Sequence, residues 1–218
     1  MAFINGPNIV MDDLIVCYDP QNSMSKVSNT IVENVVSPQF KGTAATSFID
    51  PSPAQTPNYL VFDGINDTLS SGTNFPATSA YSFNFWIKHS GTQSGTHNRI
   101  FGTSGNRFEI AEGSAGVLKI YEGAWYNSSV TLDDAGWVNL VVVAEPDPGL
   151  YIYKNGSFSQ TFSAGRAMTD VAWRLGGNSN TPPTECWQGF LGYFSAYTKS
   201  LSAAEVMQNY NALKSRFI

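Results

Sequence analysis

The stretch 59–88 limits most what this chain can fold into. Its end, Ala80-Tyr81-Ser82-Phe83-Asn84-Phe85-Trp86-Ile87-Lys88, alternates strictly. Tyr81, Phe83, Phe85 and Ile87 fall on one face, and Ser82, Asn84, Trp86 and Lys88 on the other. A period of two is that of a β-strand with one face in a core. Its start, Tyr59-Leu60-Val61-Phe62, is a short apolar strand that breaks at Asp63-Gly64. There the glycine takes a positive φ and the Asp bonds nearby backbone. A strand, a polar turn and a long alternating strand open a β-sandwich sheet.

The rest of the chain supplies the partners such a sheet needs. Short strands are predicted at 99–103, 107–111, 117–121 and 125–132, at the regular spacing of a meander. Asn155-Gly156 separates Tyr151-Ile152-Tyr153 from Phe158-Ser159-Gln160-Thr161-Phe162, a strong hairpin signal. Residues 1–24 hold one strand, Leu14-Ile15-Val16-Cys17-Tyr18-Asp19. Residues 25–57 form a polar excursion with one or two edge strands, since Pro51, Pro53 and Pro57 exclude a regular element before Tyr59. Only the end is helical. Ser202 and Glu205 make a capping box, and Val206, Tyr210, Leu213 and Phe217 form one apolar stripe. The whole of 1–218 reads as one domain.

Composition removes several function classes. Twelve basic against seventeen acidic residues give a net charge of −5, so no basic face for nucleic acid is expected. No apolar run reaches the ~18 residues of a membrane span. The N-terminus lacks a basic region followed by an apolar stretch and does not read as a secretion signal. Cys17 and Cys186 have the arithmetic of one disulfide, but two cysteines without a leader read as free and buried. His89 and His97 lack a cysteine pair at ligand spacing, so no zinc site is expected.

The ordered motifs resemble the laminin-G-like branch of the concanavalin A-like lectin/glucanase superfamily. They run from Phe62-Asp63-Gly64-Ile65-Asn66-Asp67 through Trp86-Ile87-Lys88, Gly136-Trp137-Val138-Asn139 and Leu150-Tyr151-Ile152-Tyr153-Lys154-Asn155-Gly156. Arg174-Leu175-Gly176-Gly177, Gln188-Gly189-Phe190-Leu191-Gly192 and Leu201-Ser202-Ala203-Ala204-Glu205 complete the set. The resemblance implies an all-β, two-sheet antiparallel jelly-roll sandwich with a short C-terminal helix. The opening, Gly6-Pro7-Asn8-Ile9-Val10 followed by Leu14-Ile15-Val16-Cys17-Tyr18-Asp19, resembles the start of structural proteins of tailed bacteriophages that carry such a domain.

Candidate sites follow from residue chemistry. Glucanases of this superfamily need two carboxylates on one strand face. Glu109 and Glu112 are three apart, which on a strand puts them on opposite faces, so no enzyme activity is expected. Asp63, Asn66 and Asp67 offer hard oxygens at short spacing for a structural Ca²⁺. The plainer reading, that they tie the turn to its own backbone, is preferred. Aromatic faces for sugar rings are offered by Trp125 with Tyr126, and by Trp86 beside Asn84. Trp173 and Trp187 are further candidates. For Trp86 and Trp187 the alternative is a place in the core, and Trp125 with Tyr126 is the best exposed pair. The apolar N-terminal residues Phe3, Ile4, Ile9 and Val10, with the excursion, are candidates for gripping a neighbouring protein, or for covering a sheet edge.

The resulting expectation is a non-enzymatic bacteriophage virion protein, a capsid decoration or accessory protein presenting a lectin-like sandwich. Its partners would be the major capsid protein and other virion proteins, with glycans and self-association as further possibilities. The alternatives are a tail-associated adhesin that recognises cell-surface polysaccharide and a diverged glycoside hydrolase or lyase.

Overall fold

The computed structural model describes residues 8–22, 24–25, 27–28, 31–36, 40, 42–44, 59–90, 95–105, 108–132, 136–146, 149–163, 167–178 and 184–218. Among them run β1 (Leu14–Tyr18), β2 (Val27–Ser28), β3 (Ile31–Val32), β4 (Gly42–Ala44), β5 (Leu60–Asp63) and β6 (Leu69–Ser71). Then come β7 (Tyr81–His89), β8 (Asn98–Thr103), β9 (Glu109–Glu112), β10 (Val117–Tyr121) and β11 (Trp125–Thr131). Last are β12 (Val138–Glu145), β13 (Gly149–Lys154), β14 (Ser157–Phe162), β15 (Trp173–Leu175), β16 (Gln188–Tyr197) and the helix α1 (Ala203–Leu213).

The strands form two antiparallel sheets. One, of seven strands, has the order β1-β16-β7-β12-β13-β14, with β5 also paired to β16. The other, of nine, has the order β11-β10-β9-β8-β15-β6-β4-β3-β2. The excursion supplies three short strands at the far edge of the nine-stranded sheet. Between the sheets, Phe83 lies 4.4 Å from Phe101 and 5.7 Å from Phe108 in an aromatic core that also takes Phe75, Tyr81 and Phe194.

The long alternating strand is β7, and its Tyr81, Phe83, Phe85, Ile87 face enters this core as expected. The other face is also buried, which the alternation alone does not reveal. Ser82, Asn84 and Trp86 are inaccessible to solvent because α1 and the N-terminal segment lie over the seven-stranded sheet. Trp86 stacks on Tyr210 at 5.7 Å and on Phe217 at 4.6 Å. Leu14, Cys17, Tyr193, Tyr197, Val206 and Leu213 complete this second apolar layer. The molecule therefore has three layers, sheet on sheet on helix. The helix starts at the capping box, where Ser202 Oγ accepts the Glu205 N–H and Glu205 accepts the Ser202 N–H. It ends at Leu213, and Phe217 reaches Trp86 from beyond a final 3-10 turn.

Asn155 and Gly156 both have positive φ (53° and 77°) and close the β13–β14 hairpin. This is the two-residue geometry that Asn-Gly favours. Cys17 and Cys186 are buried free thiols.

Candidate functional site

The seven-stranded sheet is capped by α1; on the outer face of the nine-stranded sheet Trp125, Tyr121, Arg174 and Ser70 are half-buried, while Glu109, Gly102 and Arg99 are buried. Strand register aligns a row across this face: Trp125, Tyr121, Glu109, Gly102, Arg174, Ser70 and Thr43. The neighbouring row, Ile120, Ile110, Phe101, Leu175 and Leu69, points into the core. A bulge between Arg99 and Phe101 lets Ile100 and Phe101 both enter the core while Arg99 turns outward. Bulges re-aim side chains in this way beside functional sites.

These residues build a compact cluster. The Trp125 indole lies across the sheet, with the His97 imidazole stacked 4.0 Å away at 20°. Tyr121 is 5.3 Å from it and the Arg99 guanidinium carbon 5.4 Å. Arg99 Nε donates to Glu109 Oε2 at 3.0 Å, and Nη1 donates to the His97 carbonyl at 3.0 Å and contacts the Glu185 carboxylate. Glu185 is held with φ 54°, and its carbonyl accepts the Arg99 N–H at 2.9 Å. A non-glycine residue kept in the left-handed region often marks a functional site. Further along the row, Arg174 donates from Nε to Ser70 Oγ at 3.1 Å and from Nη1 to the Asn178 carbonyl at 2.8 Å. Gly102, between Glu109 and Arg174, leaves a low floor in the row; a Cβ there would meet the Gly177 carbonyl oxygen at 3.6 Å and the Arg99 and Glu109 side chains at 3.9 Å.

Electrostatics follow from burial. Burial pushes the Glu109 carboxyl up, and Arg99 opposes the shift. Burial, then Lys119 and Arg99, hold the His97 imidazole below its usual value, with Glu185 pulling the other way. The cluster thus combines an aromatic ring with guanidinium donors and carboxylate acceptors, and the imidazole lies over that ring. Such a set can pack against the apolar face of a sugar and bond its hydroxyls.

The sequence-derived candidates separate on this geometry. Trp125 lies in the cluster. Tyr126, its neighbour on the strand, points to the opposite face and packs on Phe162 at 5.4 Å, so the two cannot stack on one sugar. Trp86 and Asn84 are corrected from glycan ligands to interior residues. α1 covers Trp86, and Asn84 Oδ1 accepts the Asn139 side-chain N–H at 2.7 Å in a buried pair. Trp173 and Trp187 are likewise core residues.

Glu109 and Glu112 face opposite ways. Glu112 lies inside, where Trp187 Nε1 donates to it at 2.6 Å and His89 Nδ1 is 2.6 Å from Oε1. Asp63 Oδ1 accepts the N–H of Ile65 at 2.7 Å and of Asn66 at 3.2 Å, and Asp67 Oδ2 accepts that of Asp63 at 3.0 Å. These carboxylates tie the turn, and no group of three His, Cys, Asp or Glu able to hold a metal occurs among the described residues. Phe3 and Ile4 lie outside the described residues. Val10 is corrected from an attachment residue to part of the fold. It is buried, its N–H donates to Asn209 Oδ1 at 2.7 Å, and its carbonyl accepts the Tyr197 hydroxyl at 3.2 Å. Ile9 packs half-buried beside it.

His97, Arg99, Tyr121, Arg174 and Glu185 are the site residues that sequence reasoning missed. One signal was present for Tyr121, which pairs with Trp125 across a short hairpin. The others are joined by the bulge and by a segment distant in sequence.

Residues 63–207 match the family model of the concanavalin A-like lectin/glucanases superfamily. The chain belongs to this superfamily. Solved structures with the same fold include domain 4 of AbnA, an extracellular GH43 arabinanase from Geobacillus stearothermophilus, in complex with arabinotriose. That match has a TM-score of 0.67 and 15% identity and covers 91% of this chain and 98% of that one. Trypanosoma rangeli sialidase in complex with the inhibitor DANA matches with a TM-score of 0.70 and 12% identity. It covers 96% of this chain, which spans only 36% of the sialidase. A SAP-like pentraxin from Limulus polyphemus matches with a TM-score of 0.54 and 17% identity over 67% of this chain and 78% of that one. No curated protein matches the sequence. At these identities the likeness is one of fold, and this superfamily member's chemistry rests on its own residues.

Proposed function

We propose that this superfamily member is a non-enzymatic carbohydrate-recognition protein that binds glycan on the outer face of its nine-stranded sheet. The observation that carries the reading is the half-buried pair Trp125 and Tyr121 on the outer face of the nine-stranded sheet, beside the Arg99 guanidinium and the Glu109 and Glu185 carboxylates. The arabinotriose complex of the AbnA domain supports the class of ligand. Carboxylate placement supports the absence of catalysis, because Glu112 is turned inward and Arg99 engages both Glu109 and Glu185. The test is an oligosaccharide array probed with wild type and Trp125→Ala. Binding that Trp125→Ala abolishes is expected; a blank array, or hits indifferent to the substitution, would remove the reading.

The setting we propose is a tailed-bacteriophage virion, with the protein decorating the capsid through contact with the major capsid protein. The N-terminal run Asn8-Ile9-Val10 followed by Leu14-Ile15-Val16-Cys17-Tyr18 supports it by resemblance. Adding the protein to capsids that lack it and imaging them by cryo-electron microscopy should give one density per lattice position. Capsids without added density would favour the adhesin alternative.

A hydrolase is the second reading, favoured by one observation. The Glu109 carboxyl is pushed up by burial, and Arg99 lies between it and the Glu185 carboxylate. Release of reducing sugar by wild type that Glu109→Gln eliminates would establish it in place of recognition alone.

A further inference from the structure

We propose that His97 is a shutter on Trp125. Its imidazole occupies the slab over the indole that a bound sugar ring would take, and glycan binding swings it aside. This rests on the glycan-binding reading of the nine-stranded sheet and adds a regulator to it.

Three observations support the shutter. The imidazole is close to parallel with the indole, at 20°, and 4.0 Å away, the separation at which a flat ligand would pack. The backbone carrying it is fixed. Asn98 closes the turn by accepting the Gly95 N–H at 3.0 Å and donating to the Gly95 carbonyl at 2.8 Å, while the His97 carbonyl accepts from Arg99. The ring stacks on Trp125 and is not hydrogen-bonded to the nearest carboxylate. Glu185 Oε1 is 3.9 Å from Nδ1, too far for a hydrogen bond. Side-chain rotation alone therefore clears the indole.

The surrounding charges give the movement a direction with pH. Facing the imidazole are Trp125 from β11, Lys119 from β10, Arg99 from β8 and Glu185 from the segment before β16. Burial disfavours a protonated His97 in the stacked position; Lys119 and Arg99, the latter already over the indole, repel it, and Glu185 offsets them in part. In the stacked position the imidazole is held below its usual value. Swung into solvent it returns to about 6.5, so opening takes up a proton. Glycan affinity should therefore rise as pH falls through that range.

The experiment titrates the strongest array binder into wild type, His97→Ala and Trp125→Ala at about pH 7.5 and about pH 5.5. His97→Ala should bind roughly two- to tenfold tighter than wild type at the higher pH, the range that one stacking contact is worth. It should also lose the pH dependence, and Trp125→Ala should not bind. If wild type binds through Trp125 while His97→Ala is equal or weaker, the shutter is overturned and the glycan reading stands. If no protein binds any sugar at either pH, both are overturned.

Discussion

Cys17 lies on β1 with its sulfur 3.6 Å from the Tyr193 hydroxyl, beneath the segment that runs from Asn8 into the strand. Burial pushes its thiol up to about 12, that of Cys186 up to about 11, and the Tyr197 phenol to about 12. In each case the neutral form is favoured in the folded state. The stability they contribute is whole below their unfolded values, about 8.5 for Cys and about 10 for Tyr, and is lost as pH rises through the folded ones. The protein should lose denaturant resistance progressively above about pH 9, as equilibrium unfolding would show. Native protein should also resist iodoacetamide at neutral pH and react at both thiols once unfolded. Substitution of two tryptophans should separate core from site. Trp86→Ala removes a ring stacked on Tyr210 and Phe217 and should cost about 3–5 kcal/mol. Trp125→Ala loses the contacts with His97, Tyr121 and Arg99 at a half-buried position and should cost less, about 1–2 kcal/mol, while abolishing glycan binding. Chemical denaturation of both variants checks the contrast. The sequence placed the two residues in similar local patterns, and nothing within either strand tells which face another element covers.

At the scale of elements, β7 and α1 show what local patterning carries. The period of two in 81–87 comes from the pleat itself, and the capping box at Ser202 and Glu205 lies within one turn, so both were legible without tertiary contacts. The length of the helix was less so. The stripe continued to Phe217, yet the helix closes at Leu213 and Phe217 joins Trp86 from outside it. The bulge in β8 left no trace in the spacing, although it turns Arg99 outward toward Glu109 and Trp125. Ser202→Ala removes the capping hydroxyl that accepts the Glu205 N–H and should lower unfolding stability by about 1 kcal/mol. Because α1 covers Trp86, that variant should also show increased exchange at the amides of β7 and β16. Unchanged stability would mean that packing, not capping, holds the helix.

The whole molecule divides its two sheets between two tasks. The seven-stranded sheet is closed by α1 and by the N-terminal segment, whose Val10 N–H donates to Asn209 Oδ1 at 2.7 Å and whose Asn8 carbonyl accepts the Gln208 side-chain N–H at 2.7 Å. The nine-stranded sheet carries an outer row that is half-buried at Trp125, Tyr121 and Arg174 and buried at Glu109. The superfamily was legible from ordered motifs because each marks a turn or strand in a fixed sequence of elements. The site was not, because His97, Arg99, Trp125 and Glu185 come from four separate segments that only the folded sheet brings together. Chain distance likewise hid the fate of Val10, which is bonded to Asn209 across the whole molecule. The indole N–H resonances of the five tryptophans report most directly on whether Trp125 receives glycan. On titration with the strongest array glycan, the Trp125 signal should shift while those of buried Trp86, Trp173 and Trp187 stay in place. A bound glycan that leaves Trp125 unmoved would place recognition elsewhere on the molecule and contradict the account.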